Sequence, residues 1–250
     1  MIDFVIRVAD ITIGAWVIYK TTREYCHKYL CGDTPEFSVS ISPEDIQKER
    51  EKSRKEALLE GLPIRDFSDS QLEITALQRK IADCLLERDI LLFHGSVISV
   101  DGKAYLFTAK SGTGKSTHTR LWREVFGEKA IPVNDDKPFL HICEDKVIAY
   151  GTPWNGKHKI GNNISVPLKA ICVLERGTVN SISELNKKSA LPLLIQQSYR
   201  PNSPQKILRC MDLIDRLTKN VEFYKLSCNM EPEAAIVSYE GMSGEKWRKE

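Results

Sequence analysis

The stretch Ala109-Lys110-Ser111-Gly112-Thr113-Gly114-Lys115-Ser116-Thr117 combines glycines, a lysine and hydroxyls in a spacing suited to holding phosphate. Without side chains at Gly112 and Gly114, consecutive backbone N–H groups can turn inward on β- and γ-phosphates. Lys115 can reach the same phosphates and the Ser116 hydroxyl can hold Mg²⁺. A helix starting here would add its positive N-terminal end. The expected nucleotide contacts are therefore Ser111, Gly112, Thr113, Gly114, Lys115, Ser116 and Thr117. Ala109 departs from the usual pattern, since a first glycine often stands there, and it fits only with an ordinary φ below zero. The second reactive group is the pair Asp135-Asp136, twenty positions after Lys115. Adjacent aspartates at a strand end point in different directions, so one can bind Mg²⁺ while the other accepts a proton from an attacking group.

The surrounding pattern supplies the elements that would position these groups. Residues 103–108 read as a strand and 116–126 as a helix, giving the strand, loop, helix order that a phosphate loop requires. Residues 96–100 and 103–107 are joined by Asp101-Gly102, a two-residue hairpin turn, so the loop strand is entered from an antiparallel partner. Gly127 can end the helix, and the short apolar run 130–133 delivers Asn134, Asp135 and Asp136. A right-handed crossover then places both strand ends on one sheet edge, where the carboxylates face the phosphates.

His94-Gly95-Ser96, the hairpin, Ser111-Gly112-Thr113-Gly114-Lys115-Ser116 and Val133-Asn134-Asp135-Asp136, in this order, resemble the catalytic core of HPr kinase/phosphorylase and its relatives. These share a fold with phosphoenolpyruvate carboxykinase. The resemblance covers about residues 90–140 and fades afterwards. It implies a mixed α/β fold and an ATP- and Mg²⁺-dependent phosphotransferase. By resemblance, Asp135 would be the general base, Asp136 and Ser116 would serve the metal, and His94 would sit beside Asp135. No Glu-Ile-Arg-Gly-like stretch follows the carboxylates, so neither HPr as substrate nor phosphorylase activity follows. Uncharacterised and peptide-modifying relatives of that kinase, including those that phosphorylate ribosomally made peptides, are the nearer comparison.

A chain of 250 residues with 42% hydrophobic and 28% charged residues suits a globular protein with a substantial core. The formal net charge is +2 and the basic residues are interspersed with acids, which argues against a nucleic-acid partner. Seven cysteines, scattered and without a Cys-x-x-Cys pair, suggest reduced thiols in a cytoplasm. Asp3, Arg7 and Asp10 interrupt the first apolar run and no apolar stretch is long enough to span a bilayer, so no membrane partner is expected. Assembly as a homo-oligomer is left open.

Residues 1–90 are expected to form a small α+β part, with acceptor recognition as its functional alternative to plain support, and residues 91–250 the catalytic domain. Within the first part, a helix over 46–60 is almost wholly charged and reads as a solvated face. In the second, 139–143 and 146–150 read as a hairpin, 167–175 as a central strand, and 190–198, 205–219 and the stretch after Pro232 as helices. Lys157, in the turn-rich loop 151–159, together with Arg176 and Arg200, are candidate contacts to phosphate or acceptor. The leading function is a kinase acting on a serine-type hydroxyl of a protein or peptide. A kinase of a small hydroxylated metabolite such as free serine is the alternative among enzymes, and a non-catalytic nucleotide-gated binding module the alternative outside them.

Overall fold

The computed structural model describes residues 2–59, 61, 63–110 and 112–248. It divides into two compact units, Met1–Cys84 and Leu85–Glu250. In the first, β1 (Ile2–Val8) and β2 (Ile11–Val17) form an antiparallel hairpin. Its turn residues Ala9 and Asp10 take φ values of 54° and 61°, the left-handed conformation that matches strand twist. Helix α1 (Lys20–Tyr25), β3 (Leu30–Cys31), β4 (Phe37–Ser40), α2 (Pro43–Leu59) and α3 (Asp69–Leu85) complete the unit, with sheet order β3-β1-β2-β4. The buried Glu73 of α3 accepts the N–H groups of Ile18 and Tyr19 at 2.6 and 3.1 Å, tying down the entry to α1. The solvated reading of α2 needs correction at one stripe: Glu49 is buried and pairs with Arg79 of α3 at 2.9 Å, so a charged helix packs through an ion pair.

The second unit is a mixed α/β fold. It contains β5 (Ile90–Leu92), β6 (Ser96–Val100), β7 (Lys103–Thr108), α4 (Lys115–Phe126), β8 (Ile131–Asn134), β9 (Phe139–Ile142) and β10 (Val147–Tyr150). These are followed by β11 (Ser165–Arg176), β12 (Ser181–Glu184), α5 (Lys187–Gln197), α6 (Pro204–Asn220), β13 (Glu222–Cys228) and α7 (Glu233–Ser243). The strands run β5-β9-β10-β11-β7-β6-β8, with β13 also on β11 and β12 on β13. The long β11 carries both halves. Its first residues pair antiparallel with β10, and its later ones lie parallel to β7 on one side and β13 on the other. Ala170, Ile171 and Cys172 are accordingly buried on both faces.

β6 is antiparallel to both β7 and β8, so β7 and β8 run the same way and end on one edge of the sheet, as the crossover reading expects. Pro132 sits in β8, the last strand of the order, opposite Ile98 of β6 where the register shifts, the edge and bulge position that proline tolerates. Helix α4 is fixed by an aromatic cluster. The buried Trp122 lies 5.1 to 5.8 Å, centroid to centroid, from Tyr105, Phe107, Phe126 and Tyr239. Its Nε1–H donates to Ser238 Oγ of α7 at 2.9 Å. The start of α4 is therefore held rigidly at the sheet edge. No helix among the described residues is long and apolar enough to cross a membrane.

Candidate functional site

The loop between β7 and α4 has the conformation its glycines allow. Gly112 and Gly114 take φ values of 78° and 124°, which a side chain would strain, and Gly114 caps α4. Ala109 is buried and is not among the positive-φ residues, so the departure from glycine is accommodated. The first N–H groups of α4 have no intrahelical acceptor and lie at its positive end. Lys115 Nζ donates to the Ala109 carbonyl at 3.2 Å, folding back over the loop. Burial lowers the Lys115 pKa, and the charge of Asp136 partly opposes that shift. Ser111 lies outside the described residues. Thr113, Ser116 and Thr117 are in the loop and the first turn of α4, where they were expected.

The carboxylates are sorted by a side chain that the sequence reading passed over. Asn134, 1% exposed, accepts the N–H groups of Asp136 and Lys137 at 2.9 and 2.6 Å. Its amide donates to the carbonyl and hydroxyl of Thr152 at 3.2 and 3.0 Å. This side-chain-to-backbone turn sends Asp135 and Asp136 in opposite directions. The signal for it was available: asparagine at the end of a strand is a turn former. Asn134→Ala leaves these buried partners unsatisfied. It is expected to cost about 1 to 3 kcal/mol, read as an earlier denaturant midpoint for the second unit.

Asp135 is turned away into the loop 151–161, accepting Gly156 N–H at 2.6 Å and Ile160 N–H at 3.4 Å. It is 7% exposed, and burial raises its pKa against the effect of those two donors. The loop fits against β8 because Gly151 has no side chain: a Cβ there would lie 1.8 Å from the Asn162 carbonyl oxygen. Trp154 is buried against Phe139, which leaves Lys157, His158 and Lys159 exposed at the tip.

Asp136 stays at the sheet edge. His94 Nε2 lies 3.1 Å from Asp136 Oδ1, and Lys137 Nζ is 4.0 Å from the same oxygen. The expectation that His94 stands beside Asp135 is thus corrected: the Asn134 turn swings Asp135 onto the 151–161 loop and leaves Asp136 as the histidine's partner. Burial works to raise the Asp136 pKa, but the His94 hydrogen bond and the charges of Lys137, His94 and Lys115 outweigh it, so the carboxyl sits below its ordinary value. His94 is itself held at both backbone groups. Its N–H donates to the Gln197 carbonyl at 2.8 Å, and its carbonyl accepts from Thr108 Oγ1 at 3.0 Å.

The three candidate cations separate. Arg176 donates to the Gly112 carbonyl at 2.6 Å and so braces the glycine loop. Lys157 follows Gly156, the residue that Asp135 holds. Arg200, beyond the end of α5, turns back to the Gln196 carbonyl of that helix at 3.2 Å, with no bond to a described residue of the loop. Two cavities flank the glycine loop. One of about 910 Å³ lies toward β13 and α5, and one of about 480 Å³ lies beside the first turns of α4.

No protein-family model matches the chain, and no curated protein matches it in sequence. Among solved structures, the Hpr(Ser) kinase/phosphatase from Coxiella burnetii is similar to it, with a TM-score of 0.35 and 10% identity. That likeness covers 61% of this chain and 95% of that chain.

Proposed function

We propose that the second unit is an ATP- and Mg²⁺-dependent kinase that transfers the γ-phosphoryl group to a serine-type hydroxyl of a protein or peptide. The observation that carries this reading is the Asp136–His94 pair, charge-coupled to Lys115 at the edge where the glycine loop opens. A phosphate switch would need the loop but not a half-buried carboxylate and histidine poised beside its lysine.

In the step proposed, the acceptor hydroxyl oxygen forms a bond to the γ-phosphorus as the bond from that phosphorus to the β-bridging oxygen breaks, releasing ADP. The hydroxyl proton passes to Asp136, whose orientation His94 sets. Lys115, the N–H groups of the loop and the start of α4 stabilise charge on the phosphates. Asp135 acts as a positioning residue, holding the loop that presents Lys157.

The donor set suits Mg²⁺. Among the described residues there is no group of three or more His, Cys, Asp or Glu side chains that would form a protein cage. Mg²⁺ instead commonly takes one or two protein ligands with phosphates and water, so Ser116 would hold it beside the nucleotide. The ion when bound would neutralise phosphate charge. Asp136, read from sequence as a metal ligand, is here assigned to the proton.

Ser116→Ala should weaken ATP binding in the presence of Mg²⁺ more than in EDTA, measured by calorimetry. Equal losses under both conditions would remove Ser116 from the metal. Since the Asp136 pKa is lowered, the base stays ionised until pH falls below its ordinary value of about 3.9. His94→Ala removes a cause of that lowering. The acid limb of the transfer rate should therefore move to higher pH, while ATP affinity is retained. An unmoved acid limb would detach His94 from the base.

A further inference from the structure

The Asp136–His94 pair is flanked by two stretches of chain without a carboxylate. The protein carries 34 acids in 250 residues, yet no Asp or Glu occurs from Lys146 to Leu174 or from Leu185 to Met211. The fold fixes a part of each beside the pair. On one side is the loop 151–161, held where Asp135 accepts from Gly156 and Ile160 and where Asn162 N–H donates to the Val133 carbonyl at 3.2 Å. On the other is the end of α5, where the Gln197 carbonyl holds the His94 N–H and Ser198 bridges to Phe93. Between Gly156 and Ile160 the loop makes a tight turn. Lys159 N–H donates to the Gly156 carbonyl at 3.0 Å, so Lys157 and His158 occupy the corner positions. Lys159 takes a φ of 52°, a conformation that a lysine holds only where its surroundings fix it, and the Asp135 carboxylate clamps both ends of the turn. Lys157, His158 and Lys159 are all exposed, and none has an ion-pair partner among the described residues.

We propose that this clamped turn is the docking point for acidic residues of the acceptor, so that the hydroxyl phosphorylated lies two to four positions from an Asp or Glu. The proposal rests on the kinase reading and names the chemistry of the protein or peptide that the site takes. Asp135, which holds the turn, and Asp136, which takes the hydroxyl proton, are chain neighbours, so turn and base stay in register across one Cα step of about 3.8 Å. An extended acceptor advances about 3.3 to 3.6 Å per residue, which carries side chains two to four positions from the hydroxyl across to Lys157, His158 and Lys159. Asp135 spends its charge on the two N–H groups and Asp136 on His94 and Lys137, so the three cations of the turn are left for the acceptor. A basic acceptor meets only like charge there, which selects against it. A loop whose task was only to cover Asp135 would need its backbone N–H groups and not three exposed basic side chains in succession.

The test incubates the full chain with ATP, Mg²⁺ and a dephosphorylated chymotryptic digest of cell protein, and maps the phosphorylated serines by mass spectrometry. Asp and Glu should be enriched about threefold at positions two to four from the serine relative to the digest, the modest discrimination of an exposed charge pair, and the enrichment should shrink as salt is raised. Lys157→Glu should lose the enrichment and favour Lys or Arg at those positions while still binding ATP. Lys187→Glu makes the same change of charge at the far end of α5 and should keep the wild-type preference. Serines mapped without acid enrichment in wild type would overturn the docking point and leave the kinase reading standing. An enrichment that Lys157→Glu does not alter, or that Lys187→Glu reduces equally, would also overturn it. If a protein that binds ATP labels no peptide at all, the acceptor class fails first and the docking point falls with it.

Discussion

Asp136→Asn is expected to lower single-turnover phosphoryl transfer by about 10² to 10⁴, the usual contribution of a positioned general base, while ATP·Mg²⁺ affinity stays nearly intact. The substitution keeps size and one acceptor oxygen but removes the negative charge that His94 and Lys137 hold in place. Asp135→Asn should behave differently. Its carboxylate serves Gly156 and Ile160, so its loss loosens the loop carrying Lys157 and should raise the acceptor KM more than it lowers kcat. Binding isotherms and single-turnover rates on both variants separate the roles. If Asp135→Asn loses the chemical step and Asp136→Asn keeps it, the assignment of base is reversed.

Lys115→Ala should remove most of the affinity for ATP. Hydrogen bonds to charged groups contribute about 1.5 to 3 kcal/mol each, and every 1.4 kcal/mol is tenfold, so losing even one such bond weakens binding by tenfold or more. The effect on the ligand-free protein has the opposite sign. The folded state lowers the Lys115 pKa, chiefly by burial, so carrying the protonated amine costs stability that is recovered as pH rises through the lysine range. Alanine removes that cost, and the apo variant should unfold no earlier than wild type at neutral pH. Unchanged ATP binding in a folded Lys115→Ala protein would exclude the glycine loop as the phosphate site.

The parts of this architecture that could be read from sequence are those with local causes. The β6–β7 hairpin follows from Asp101-Gly102 between alternating runs, and Asp101 and Gly102 indeed take φ values of 51° and 72°. The glycine loop, α4 and β8 follow from turn chemistry and periodicity over short spans. Strands β5 and β12 were missed because each is short and defined by a distant partner, β9 for one and β13 for the other. That the two aspartates diverge was expected, but the partner of His94 was misplaced for the same reason. Adjacent aspartates look equivalent in sequence, and their division depends on Thr152 and Gly156, which the chain brings back only after the β9–β10 hairpin. Likewise Arg176 was legible as a cation at a strand end, but its contact with Gly112 required the parallel pairing of β11 with β7.

Phosphoryl transfer to a protein or peptide hydroxyl is measured by incubating the full chain with cell extract and ATP labelled at the γ-phosphate, with Mg²⁺, beside the Asp136→Asn variant. Wild type is expected to transfer label to serine-type hydroxyls of protein or peptide, EDTA to abolish transfer, and Asp136→Asn to lose it while still binding ATP. Label confined to small molecules would contradict the acceptor class. ATP binding with no transfer to any acceptor, and no difference between wild type and Asp136→Asn, would contradict the kinase reading itself.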